Sequence, residues 1–157
     1  MKLLITLFAI LVTFSCCSAS CTKDGSSTAT QNNENVNNNM SAPHMKITIG
    51  KAVFTATLYD NPSAHAFKAM LPMTIDMNEL NGNEKYDDLP NTLPAKSTVG
   101  GDLKAGDLAL YGNKVLVLFY KNFHTSYSYT KLGSVDHPSG LAAALGAGNI
   151  VVKFEKN

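Results

Sequence analysis

From Met45 onward, apolar residues come in runs of five to eight, rich in valine, isoleucine, leucine, threonine and aromatics, separated by glycine, asparagine or proline. That punctuation is the strongest constraint on the fold. A helix needs ten or more uninterrupted residues to bury a stripe, whereas a strand needs only four to eight. "MKITI" (Met45–Ile49) and "AVFTATLY" (Ala52–Tyr59) alternate like strands, and Gly50–Lys51 between them suits a hairpin turn with glycine first. "MTIDM" (Met73–Met77) precedes an Asn81–Gly82 turn, and "DLALY" (Asp107–Tyr111), Gly112–Asn113 and "VLVLFY" (Val115–Tyr120) read as another hairpin. "FHTSYSYTKLGSV" (Phe123–Val135) is mostly extended, and "NIVVKFE" (Asn149–Glu155) ends the series. Asn91–Gly106 reads as a loop, long for a domain of this size.

Two segments interrupt this pattern. In "DNPSAHAFKAMLP" (Asp60–Pro72), Asp60 or Asn61 can cap a helix, Pro62 fits its first position and Pro72 stops it. "HPSGLAAALGAG" (His137–Gly148) reads as a second short helix, with proline early and glycine after. Seven or eight short strands and two short helices in about 113 residues make a mainly β domain. It closes most naturally into a small barrel with helices at its ends. The unbroken apolar "VLVLFY" predicts burial on both faces, between the barrel interior and a covering helix.

The N-terminal residues belong to a different class. Lys2 precedes a twelve-residue run, Leu3 to Phe14, that is apolar apart from Thr6 and Thr13. The run is too short to span a bilayer but matches a secretory signal. All three cysteines, Cys16, Cys17 and Cys21, follow at once in "SCCSASC", so residues 1–21 read as a signal peptide with lipoprotein-like cysteines. Lipid attachment is expected at Cys16, with Cys21 as the alternative. Ordinary cleavage near Ala19–Ser20, releasing a soluble protein, is the alternative, weighed below lipid attachment because plain signal peptides seldom cluster cysteines there. No cysteine lies further on, which excludes a disulfide-stapled domain. Residues 22–44, including "QNNENVNNN", have almost nothing apolar to bury and are expected to be a disordered tether. Its reach would be about 25–30 Å. These features predict an exported protein, lipid-anchored in a bacterial cell envelope, with residues 45–157 as its folded domain.

Every one of the 13 basic residues is lysine, against 12 acids, and the charges are interspersed. A nucleic-acid partner is therefore not expected. The catalytic constellations are weak. On a helix over Asp60–Pro72, Phe67, Met70 and Leu71 share a face with Ala64 and Ala66 beside them, which turns His65, Lys68 and Ala69 outward. As a general base His65 would need a pocket and an orienting partner, so a capped helix plugging the barrel is expected rather than a catalytic site. "GSVDHPSG" (Gly133–Gly140) crowds Ser134, Asp136, His137 and Ser139 together, whereas triads converge from separated segments. The four histidines lack metal-ligand spacing, and "GAGN" (Gly146–Asn149) leads into a strand, so neither a metal, a phosphate site nor a cofactor is expected.

The segments taken together resemble the bacterial cyclophilin-like family, distinct from ordinary cyclophilins but sharing their barrel. The resemblance lies in "ATLYDNPSAHAF" (Ala56–Phe67), "LPMTIDM" (Leu71–Met77), "NEKYDDLP" (Asn83–Pro90), "GDLALY" (Gly106–Tyr111), "LVLFY" (Leu116–Tyr120) and "LGSV" (Leu132–Val135). It implies a closed eight-stranded β-barrel capped by two short helices. It implies less about activity, because fold and function separate readily. True cyclophilins place an arginine beside the prolyl amide, and this chain contains no arginine. Lysine lacks the planar fork that would replace it.

The better candidate surface is aromatic. Phe123, Tyr127 and Tyr129 alternate along one strand face. Tyr86, Tyr111, Phe119 and Tyr120 lie in the family-like segments, with Glu84 and Asp107 close in sequence. Glu84, Tyr86, Tyr111, Phe119, Tyr120 and Tyr127 are the expected ligand-binding set, for a peptide or small molecule. The same aromatics also suit a barrel core or rim. A prolyl isomerase with a non-standard site is the rival expectation, and a purely structural module the third.

Overall fold

A computed structural model describes residues 43–157. Its strands are β1 (His44–Ile49), β2 (Ala52–Leu58), β3 (Met73–Leu80), β4 (Glu84–Asp88), β5 (Gly101–Leu103), β6 (Asp107–Tyr111), β7 (Val115–Phe119), β8 (Phe123–Thr125), β9 (Tyr129–Val135) and β10 (Ile150–Lys156). Two helices interrupt them, α1 (Pro62–Ala69) and α2 (Leu141–Leu145). Eight strands close an antiparallel barrel in the order β1-β10-β3-β4-β7-β6-β9-β2, and β5 pairs with β8 in a separate ribbon. The expected signal peptide, Cys16 or Cys21 lipidation and most of the expected tether lie outside the described residues. The first strand begins at His44, inside the range assigned to the tether, and Pro43 already accepts a hydrogen bond from the Leu58 N–H.

Alternation in the sequence becomes inside and outside. Met45, Ile47 and Ile49 of β1 face inward, while Lys46 and Thr48 between them do not. Gly50 takes φ +57° at the first turn position, where a side chain would be strained, and joins β1 to β2 in register. The interior is filled by a single cluster that includes Met45, Ile47, Leu58, Met77, Leu110, Leu118 and Phe154.

The two helices seal opposite ends. Helix α1 leads into Met73, which pairs with Phe154, whereas α2 leads into Ile150, which pairs with Met77 at the other end of the same two strands. Helix α1 forms as its residues dictate: Asn61 accepts from the Ala64 N–H at 2.9 Å, and Pro62 sits in the first turn. Its Ala64 and Phe67 are fully buried, and Phe67 meets Phe154 edge-on with ring centres 6.0 Å apart. His65 points outward and lies 3.0 Å from Asp60 in a solvent-exposed pair. Leu141 and Leu145 bring α2 into the same interior cluster.

Strand β7 is buried on both faces, but the cover is not a helix. Leu116 and Leu118 face the interior, while Val117 and Phe119 face outward into a second cluster with Leu103, Ala109 and Tyr129. The ribbon β5–β8 supplies part of this cover. Strand β5 therefore occupies the stretch that reads as a loop: three residues carry too little pattern to be seen without their partner.

Candidate ligand-binding groove

The outer face of β4, β7, β6 and β9 carries the second cluster, and beside it opens a groove of about 650 Å³. Strand register sets what faces it. Glu84 pairs with Phe119, Tyr86 with Val117 and Tyr111 with Val115, so alternate residues of each strand share this side. Strand β9 adds Tyr129 opposite Tyr111, and β8 adds Phe123, His124 and Thr125.

The aromatic rings form a continuous chain. Tyr127 meets Tyr111 with centres 6.1 Å apart, Tyr111 meets Tyr129 at 5.8 Å, Tyr129 meets Phe119 at 5.3 Å, and Phe119 meets Phe123 at 5.4 Å. Edge-on and offset arrangements are those that aromatic pairs prefer. The segment carrying Tyr127 is fixed from behind. Thr98 and Tyr129 exchange backbone hydrogen bonds at 3.0 and 3.1 Å, and the Tyr127 N–H donates to the Thr125 hydroxyl. Gly100 is needed there, since a Cβ would lie 2.3 Å from the Thr125 carbonyl oxygen and 2.5 Å from that of Tyr127.

Of the six residues expected from sequence, Glu84, Tyr86, Tyr111 and Tyr127 line the groove. Phe119 lies beneath it, fully buried between Tyr129 and Phe123. Tyr120 is turned away: its hydroxyl donates to Glu79 at 2.8 Å. Burial and that carboxylate push the Tyr120 hydroxyl up to about 12. Glu79 also receives the Lys85 ammonium, which donates to the carbonyls of Gly146 and Gly148 as well, at 2.9 and 2.5 Å. This knot closes the α2 end of the barrel on the side opposite the groove. Asn83, Val117 and Thr125 line the groove without any sequence signal pointing to them.

Glu84 is the carboxylate that lines the groove. Burial, and then the nearby Glu79, hold the Glu84 carboxyl above the usual carboxylate range. Burial, with Glu84, Tyr111 and Tyr127 close by, pushes the Tyr129 hydroxyl up to about 12. Among the described residues, no group of three or more His, Cys, Asp or Glu is placed to hold a metal. Half-open, aromatic and carrying few polar groups, the cavity has the character of a ligand site.

The model of the cyclophilin-like family matches residues 47–155. The chain belongs to the cyclophilin-like family. A solved member of this architecture agrees: the solution structure of the hypothetical protein AF2241 from Archaeoglobus fulgidus superposes with a TM-score of 0.50. It is 17% identical, covering 74% of this chain and 95% of that one, which shows a shared fold and nothing more. No curated protein sequence matches. In this cyclophilin-like chain the groove sits on the outside of the barrel, and the interior is filled by side chains.

Proposed function

We propose that the chain is a cell-envelope binding protein whose cyclophilin-like barrel holds a peptide or small ligand in the outer groove without isomerising it. The supporting observation is the groove itself: Tyr86, Tyr111, Tyr127, Tyr129 and Phe123 surround a buried carboxylate. Rigid rings offer contact area at little entropic cost, and a few polar groups set orientation. The export signal and the lipid on Cys16 belong to the same proposal and rest on the leader sequence.

Isomerisation asks for a donor aimed at the twisting amide, because its barrier of about 18–20 kcal/mol is sustained by amide resonance. The chain has no arginine, and the buried charged group lining the groove is the acceptor Glu84. A protease-coupled proline isomerisation assay on the full-length chain tests this point. The expected rate equals the uncatalysed background, and an acceleration that scales with protein concentration overturns the non-catalytic reading.

A further inference from the structure

Two acceptors at the groove have no donor among the described residues. Glu84 is 7% exposed, lines the cavity and receives no hydrogen bond from any described residue. The adjacent cation, Lys85, points to the opposite face, where Glu79 and two glycine carbonyls occupy it. Beside Glu84, the Asn83 side-chain oxygen is buried with no partner, and Asn83 lines the same cavity. The Asn83 oxygen is sealed and unbonded, whereas the Glu84 carboxylate belongs to a buried residue, keeps contact with solvent and has no cation or donor beside it among the described residues; each lacks an N–H partner.

We propose that the groove takes an organic cation bearing N–H groups, a primary ammonium or guanidinium, which donates to Glu84 and to the Asn83 side-chain oxygen. This rests on the ligand-site reading and adds the chemical class. Three features converge on it. The lone carboxylate calls for a positive charge. Two neighbouring acceptors call for N–H donors, which a quaternary ammonium lacks and a carbonyl group cannot supply. The rings of Tyr86, Tyr129 and Phe123 line the same groove, where aromatic rings attract a cation and accept its apolar stem. A lysine or arginine side chain in a peptide and a free small amine share this chemistry.

The cation binds the carboxylate form, so affinity is full above the raised Glu84 pKa and falls as pH drops through it. The titratable groups around Glu84 are Glu79 of β3, Tyr86 on its own strand, Tyr111 of β6, Tyr127 between β8 and β9, Tyr129 at the start of β9, and His124 of β8, which pairs with Asp102 of β5 at 2.9 Å. A His124→Gln variant separates that histidine's contribution from that of Glu84.

Titration calorimetry on the full-length chain tests the proposal. The probes are 2-phenylethylammonium and its neutral N-acetyl derivative, and a lysine tetrapeptide and its acetyl-lysine counterpart. Each charged probe is expected to bind at least about tenfold tighter than its neutral partner, a difference worth about 1.4 kcal/mol. Glu84→Gln removes the preference while Glu84→Asp keeps part of it, and His124→Gln leaves the pH response in place. A tighter lysine peptide assigns the cation to peptides, and a tighter free amine assigns it to small molecules. Neutral probes binding as well as charged ones overturn the cation and leave the ligand-site reading standing. No heat from any probe overturns both.

Discussion

Lys85→Met is expected to cost about 3 kcal/mol of stability, among the largest losses any single surface-preserving substitution here can cause. Lys85 is a fully buried lysine that joins three parts of the chain: Glu79 at the end of β3, the Tyr120 ring 5.5 Å away, and the carbonyls of Gly146 and Gly148 after α2. Methionine fills the same volume but leaves the two carbonyls and part of the carboxylate unpaired. The lower end of the range for broken buried pairs applies because Glu79 keeps 20% of its side chain exposed. Urea or thermal unfolding of the full-length chain measures this, with a melting point lowered by roughly 10 °C or more.

The pH dependence carries the same signature. Burial raises the Glu79 carboxyl, but bonds from Lys85, Tyr120 and the Gly82 N–H outweigh it and hold the group below its usual range. A carboxyl with a depressed folded pKa stabilises fully above its unfolded pKa and loses that contribution as pH falls through the folded one. The wild-type protein therefore loses this stabilisation in acid, and Lys85→Met flattens the loss. An unfolding midpoint unchanged in the variant would show that the knot does not hold the α2 end.

The second large effect concerns the leader. Cys16→Ser is expected to move the protein wholly from the membrane fraction to the soluble one and to abolish labelling by radiolabelled fatty acid. Acyl chains contribute about 0.8 kcal/mol per buried methylene, so several chains hold firmly and none leaves nothing to hold. Among the described residues no helix is long and apolar enough to cross a membrane, so the folded barrel offers no helical anchor of its own. Labelling lost in Cys21→Ser instead would move the attachment to Cys21. An unlabelled wild-type protein would remove the anchor from the proposal.

How legible these features were depended on how local their causes are. The start and apolar face of helix α1 could be read because its cap, its proline and its buried Phe67 lie within a dozen residues, whereas the buried Ser63, which donates to the distant Pro94 carbonyl, could not. The hairpins were equally plain. Tyr120 shows where adjacency misled: in a strand, neighbours face opposite ways, so Phe119 under the groove sends Tyr120 to the other side. The same parity correctly joins Glu84 to Tyr86. Lys85 gave no signal, since lysine is rarely buried and its carbonyl partners lie 61 and 63 residues away. Tyr129 and Phe123 do meet in one groove, but on separate strands, with the chain bending between them. That bend depends on Gly100 and Thr98 packing from a segment with no strand pattern of its own.

The six tyrosines provide the most direct test of the central claim, that ligands are held on the outer face of β4, β7, β6 and β9. Tyr86, Tyr111, Tyr127 and Tyr129 are in the groove, whereas Tyr59 and Tyr120 are not. Ring-carbon NMR of the tyrosine-labelled full-length chain, titrated with an equimolar tetrapeptide pool, reads all six at once. The groove account predicts that the four move together while Tyr59 and Tyr120 stay fixed. Movement confined to Tyr59 or Tyr120, or no movement at all, would contradict it.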